Sequence, residues 1–184
     1  HSIRYVIWGG HGATTNDATA IVPLAIMDNG QGVVLEKFYH DPKVNGQLSN
    51  EQLAPFIRDY FAELTRKYRM YESGVQHYTP IDCAASDLII TLAYSLPSMY
   101  NVYKYTQKDI LRTTDVVNNA FGRNSICILN FGGYYNYIKH RFEEGDDQLV
   151  TDLENMVWDE SGRSYDPSVP NDCADAFRYA VNAY

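Results

Sequence analysis

Ile3-Arg4-Tyr5-Val6-Ile7-Trp8, closed by Gly9-Gly10, is the stretch from which the fold is read. β-Branched and aromatic residues at this density, ended by glycines, predict a strand. The chain then repeats the theme. Residues 18–28 predict a second strand, in which Pro23 marks a bulge or a lightly paired position because proline has no N–H to donate. Asn29-Gly30 is the strongest short hairpin signal available, and residues 32–39 predict a third strand. The result is an antiparallel three-strand meander.

Working outward, Ser49 and Gln52 form a capping box. Leu53, Phe56, Ile57, Tyr60, Phe61 and Leu64 follow at helical spacing, and Pro55 disturbs only the first turns. Residues 75–81 predict a fourth strand, 86–96 a short helix, 100–105 a strand, 107–121 a helix and 125–129 a short strand. Residues 131–168 give a mixed signal. A helix closes the chain from about Asn171. A meander followed by alternating helices and strands predicts a mixed α/β sheet covered by helices.

The 184 residues suit one domain with a sizeable core. With 45% apolar and 21% charged residues, wholesale disorder is excluded. No apolar run approaches the roughly 18 residues of a membrane span, so no membrane association is expected. The first residues lack the basic-then-apolar form of a signal peptide, and the expectation is a domain cut from a longer chain. A net charge of −8 argues against a bulk nucleic-acid binder but not against an enzyme whose carboxylates hold metal against a phosphate. Cys83, Cys127 and Cys173 form no CxxC pair, which fits a reducing compartment and three small buried residues. The 16 tyrosines suit half-buried surfaces and interfaces. A nucleotide-binding P-loop, a GxSxG nucleophile elbow and zinc-ligand spacing are all missing from the sequence.

Several acids occupy chemically useful places. Asp82 directly follows the fourth strand and precedes small residues. It reads as a ligand-contacting carboxylate or, equally, as a helix N-cap. Asp172 and Asp175 stand at i and i+3 in the first turn of the closing helix, either as dipole complements or as a paired-carboxylate metal site. Lys104, Lys108, Arg112 and Arg123 gather around the 107–121 helix. Lys139, His140 and Arg141 follow Tyr134, Tyr135 and Tyr137. Each group reads as a solvated face or as a DNA-contacting surface. Arg178 can pair with a neighbouring acid, and Glu36 and Asp41 flank the third strand, Glu36 on the side expected to face the site.

Three stretches carry a family resemblance: the small-polar loop into Asn16-Asp17-Ala18-Thr19-Ala20, the segment Ile81-Asp82-Cys83-Ala84-Ala85, and the closing Asn171-Asp172-Cys173-Ala174-Asp175-Ala176-Phe177-Arg178-Tyr179. In this order, after a meander, they resemble the nuclease domain of the large terminase subunit of tailed bacteriophages, over nearly the whole chain. The resemblance implies a ribonuclease-H-like α/β fold spanning residues 1–184 as one domain of a longer terminase. It implies a metal-dependent endonuclease that cuts concatemeric double-stranded viral DNA during packaging, in the host cytoplasm. The partners would be an ATPase domain, the small terminase subunit and the portal protein. Asp82, Asp175 and Asp172 map onto the family's catalytic and metal-ligating acids, which would hold two Mg²⁺ or Mn²⁺ ions about 3.5–4 Å apart. Lys108, Arg112, Lys139 and Arg141 would contact DNA. One place departs from the pattern. The family's strand-1 acid, expected just before the glycines, is missing from Val6-Ile7-Trp8-Gly9-Gly10, and Asp17 or His11 would stand in from the adjacent loop. The alternative implied is a catalytically silent module that binds DNA or the portal.

Overall fold

The computed structural model describes residues 2–12, 17–72, 74–107, 109–129, 133–145, 148–166 and 168–184. β1 (Ile3–His11), β2 (Thr19–Met27) and β3 (Gly32–Val34) form the antiparallel meander. Gly30 turns the corner between β2 and β3 at φ +82°, which an L side chain disfavours, and its N–H donates to the Met27 carbonyl at 3.0 Å. The predicted third strand breaks in two, because β4 (Phe38–His40) pairs separately with β2. The outer edge of β2 is thus shared, residues 24–26 with β3 and 19–21 with β4. Pro23 lies in the gap. Its carbonyl accepts from Leu35 N–H at 3.0 Å, and its missing N–H would have pointed to the same edge, where neither β3 nor β4 pairs with it.

After α1 (Pro42–Asn45), the helix α2 (Asn50–Lys67) starts on the capping box of Ser49 and Gln52, and its apolar stripe is buried. Then come β5 (Gln76–Asp82), α3 (Ser86–Ser95), β6 (Val102–Tyr105), α4 (Ile110–Gly122) and β7 (Ile126–Ile128). The mixed-signal region folds into a hairpin of β8 (Tyr134–Asn136) and β9 (Arg141–Glu143) followed by α5 (Gln148–Asn155), and α6 (Asp172–Asn182) closes the fold. The sheet runs β6-β5-β1-β2-β3-β7, with β5 and β6 parallel to β1, and β7 parallel to β3. No described helix is long and apolar enough to cross a membrane.

Alternation along β1 divides the core. Val6 and Trp8 face α2 and α3. Trp8 stacks on Phe61 at 4.1 Å between ring centroids, and its indole N–H donates to His77 Nδ1 at 3.1 Å. Ile7 faces the opposite layer, where α6 packs. Gly9 lets α6 cross β1 at backbone distance, since a β-carbon there would lie 1.9 Å from the Ala176 carbonyl oxygen. Ala176 and Ala180 supply the complementary small surface on the helix.

Three expectations are corrected. Of the cysteines only Cys173 is buried; Cys83 is half-buried and Cys127 exposed. Glu36 does not face the candidate site. It is buried on the α2 side, accepting from Lys67 Nζ at 2.6 Å and Tyr68 Oη at 2.9 Å. β1 runs through to His11, three residues past Trp8, so His11 belongs to the strand and not to the loop.

Candidate active site

The same alternation that buries Ile7 and brings Gly9 against α6 turns His11 to that face at the C-terminal end of β1. Gly10 pairs with Ile81 in the parallel β1–β5 ladder, so the next residues, His11 and Asp82, are neighbours. α6 begins against this edge and contributes Asp172 and Asp175 from its first turn. The imidazole stands between two carboxylates. His11 Nε2 is 3.2 Å from Asp172 Oδ1, and His11 Nδ1 is 3.8 Å from Asp82 Oδ2. At 3.8 Å the Nδ1 contact is an ion pair but not a hydrogen bond, and this buried nitrogen has no hydrogen-bond partner.

Electrostatics favour a charged His11. Burial opposes the charge, but the hydrogen bond to Asp172 and the fields of Asp175, Asp172 and Asp82 outweigh it and hold the pKa above the ordinary histidine value. Asp82 is not the N-cap of α3, which is Ala85. Its Oδ1 accepts from Ala84 N–H at 3.0 Å, and Tyr179 lies close enough to feel its charge. Asp175 is matched by a buried cation. Arg178 Nη2 donates to Asp175 Oδ1 at 2.8 Å while Nη1 donates to Thr113 Oγ1 at 2.8 Å. The start of α6 is fixed from outside, because Asp152 Oδ2 on α5 accepts from Cys173 N–H at 2.9 Å and Asn171 makes no side-chain cap.

The acids singled out by sequence therefore gather. Asp82 and Asp172 flank one imidazole, and Asp175 lies near enough to act on its charge. His11, Asp172 and Asp175 line a cavity of about 420 Å³ that Asp17, Asp41 and Lys43 also line. No three His, Cys, Asp or Glu side chains among the described residues are arranged to hold a metal ion. The basic residues are dispersed. Lys139 and Arg141 sit on the β8–β9 hairpin and share Glu143, at 3.1 and 2.8 Å. Arg112 is exposed on α4, and Lys108 lies outside the described residues. Sequence reasoning gave no weight to Thr113, Asp152 and Tyr179. Asp152 lay in a region with no site signal, and Thr113 stood beside Arg112 in a helix read only for its basic residues. Tyr179 was visible one turn after Asp175 but not separable from core packing.

The fold is ribonuclease-H-like, the fold of large-terminase nuclease domains. The nuclease domain of the bacteriophage SPP1 large terminase, solved with bound Mn, aligns with a TM-score of 0.55 at 17% identity, over 97% of this chain and 86% of that one. The bacteriophage HK97 large terminase aligns with a TM-score of 0.61 at 14% identity, over 98% of this chain and 40% of that one. The human cytomegalovirus terminase nuclease domain aligns with a TM-score of 0.60 at 12% identity, over 97% and 81%. No protein-family profile matches the chain. No curated protein matches it in sequence.

Proposed function

We propose that the chain is a DNA endonuclease domain of the large-terminase kind, cutting concatemeric double-stranded viral DNA during packaging, with Asp82, Asp172 and Asp175 as its acids. The observation that carries this reading is their convergence on His11 at one edge of a sheet with the terminase-nuclease fold. An ATPase domain, the small terminase subunit and the portal are the partners such a domain would have, in the host cytoplasm. Arg112, Lys108, Lys139 and Arg141 remain the proposed DNA contacts.

The Mn bound in the SPP1 domain supports divalent-cation use here, as Mg²⁺ or Mn²⁺. The residues present do not fit two ions as they are arranged. Hard cations need several free oxygens around one point. Here the imidazole fills the space between Asp82 and Asp172, Arg178 neutralises Asp175, and β1 supplies no carboxylate. A cation held between Asp82 and Asp172 would have to displace His11, so no step is assigned to a metal. The chain's own groups have definable roles. A charged His11 can hand a proton to a departing oxygen, a contribution of about 10²–10⁴-fold for general acids. Asp82 and Asp172 orient the imidazole, and Arg178 holds Asp175.

One observation favours a second reading, a cleavage-silent module that binds DNA or the portal: at the strand-1 end, next to Asp82, stands His11 and no acid. The test is nicking of supercoiled plasmid with Mn²⁺, Mg²⁺ or EDTA by the wild-type chain, Asp82→Asn, Asp175→Asn and His11→Asp, each checked for folding by circular dichroism. The endonuclease reading expects cation-dependent nicking that Asp82→Asn reduces by at least about 100-fold, the scale of one lost catalytic group. Folded wild-type protein that never nicks, whether or not His11→Asp does, overturns it in favour of the silent module.

A further inference from the structure

A second cavity, of about 310 Å³, opens on the α2 side of β2 and β4. Thr19 and His40 face each other across the β2–β4 ladder and both line it. They are 0% and 2% exposed, yet Thr19 Oγ1 and His40 Nε2 are buried with no hydrogen-bond partner. An unsatisfied buried polar atom costs about 1–3 kcal/mol, and each one calls for an explanation. The His40 ring, which lines the cavity, is pinned at Nδ1 by the Tyr137 hydroxyl at 2.8 Å, which leaves Nε2 without a partner. The Gly46 carbonyl approaches the ring without reaching hydrogen-bond geometry.

The rest of the lining is acidic. Asp17, Glu51 and Asp87 line the cavity, and among the described residues no lysine or arginine does. Burial holds the His40 pKa below the ordinary value, against the opposing pull of Asp41, so the ring adds no positive charge at neutral pH. Three carboxylates line this cavity beside two unpartnered polar atoms, of which Thr19 Oγ1 can accept, and His40 Nε2 accepts in the tautomer whose Nδ1–H donates to Tyr137; the set calls for a guest with many donors and a positive charge. A guanidinium offers five N–H donors in a rigid fork.

The surroundings indicate where such a group would come from. Glu51 also lines an open groove between α2 and α3, where Pro55, Ile90 and Tyr94 give the apolar surface and Arg58, Thr91 and Ser95 the polar rim. Ile90 is 56% and Tyr94 89% exposed. Asp87, Ile90, Thr91 and Tyr94 follow one another at i, i+3, i+4 and i+7 along α3, so the acidic cavity and the apolar groove form one continuous face. A free small cation would use the cavity and leave the groove bare. A peptide segment carrying an arginine beside an apolar residue would use both.

We propose that this face is a docking site for a protein partner, with the cavity beneath Asp17, Glu51 and Asp87 taking an arginine side chain and the Ile90–Tyr94 groove taking an apolar residue next to it.

The test is titration of ¹⁵N-labelled protein with the acetylated, amidated peptide Ala-Arg-Leu-Ala and its citrulline counterpart, followed by amide shifts. Saturable shifts at Thr19 and His40 are expected, at least about tenfold weaker for citrulline, which keeps the shape and loses the charge. Asp87→Asn should weaken arginine-peptide binding about fivefold. Tyr94→Ala should weaken it at least about threefold while leaving free arginine amide unchanged. Both substituted residues are exposed, so folding is not at stake. Equal binding of the citrulline peptide, or no saturable shift, overturns the proposal. Micromolar Mn²⁺ broadening these amides and displacing the peptide would mean an inorganic cation site instead, and would also overturn it.

Discussion

Gly9→Ala should be among the most damaging methyl additions available to this chain. The new β-carbon would lie 1.9 Å from the Ala176 carbonyl oxygen, 2.8 Å from Ala180 N and 2.9 Å from Ala180 Cβ. Ordinary contact begins near 3.4 Å, so α6 would have to retreat by about 1.5 Å over the middle of its contact with β1. The clashing atoms are mostly backbone, and no side-chain rotation relieves them. Overpacking a core typically costs about 1–3 kcal/mol, and a backbone-on-backbone clash belongs at or above the upper end. We expect a loss of about 3 kcal/mol, which in a domain of this size lowers Tm by roughly 6–12 °C. Urea unfolding followed by fluorescence is the assay, with buried Trp8 as a reporter one residue away. Gly122→Ala is the control. It meets nothing within 4 Å at the end of α4 and should be neutral or stabilising by up to about 1 kcal/mol. If Gly9→Ala unfolds within 0.5 kcal/mol of wild type, a difference of about the size seen for ordinary surface changes, α6 does not lie on β1 as described.

Two further outcomes follow from buried charge. Arg178→Met strands the Asp175 carboxylate beside Thr113 and should cost about 3–5 kcal/mol, whereas Arg178→Met combined with Asp175→Leu should cost distinctly less; urea midpoints that rank the double substitution as worse would refute the pairing. Burial lowers the His77 pKa to about 4, so the folded state resists a proton that the unfolded chain accepts near 6.5. The stability that neutral His77 confers is therefore complete above about pH 6.5 and is lost as pH falls towards 4, at most about 3 kcal/mol in all. In His77→Gln the loss across that window should be smaller, and an unchanged pH profile would refute the assignment.

The fold was legible where local chemistry and global packing agreed. The capping box at Ser49, the turn at Asn29-Gly30 and the hydrophobic stripe of α2 each specify one local structure, and tertiary contacts reinforce it. The break between β3 and β4 was hidden, because residues 32–39 are uniformly strand-like and only pairing with β2 shows where they part. The candidate site was half legible. Asp82, Asp172 and Asp175 stood out as acids at element ends. His11 reads as a stand-in for the missing strand-1 acid, but one placed in the loop, because Gly9-Gly10 reads as a strand terminator, whereas here those glycines continue the strand and Gly9 admits a crossing helix. Asp152 caps a helix that starts twenty residues later, a pairing with no local pattern.

The close crossing of α6 over β1 has a consequence for how the site persists in time. His11 and Asp172 come from far-separated parts of the sequence, and only the docking of this helix unites them. Partial opening, in which α6 lifts away while the α2–α3 layer keeps its own separate core, would erase the site without unfolding the sheet. The acids of α6 repel Asp82 and are held by His11 and Arg178, and the helix start hangs on Asp152 through the Cys173 N–H, so the free energy of that opening should lie below the global value. Amide exchange in α6 would then run ahead of exchange in β1 and β5. The fraction of molecules with an assembled site would be set by the grip of one helix and not by the stability of the domain.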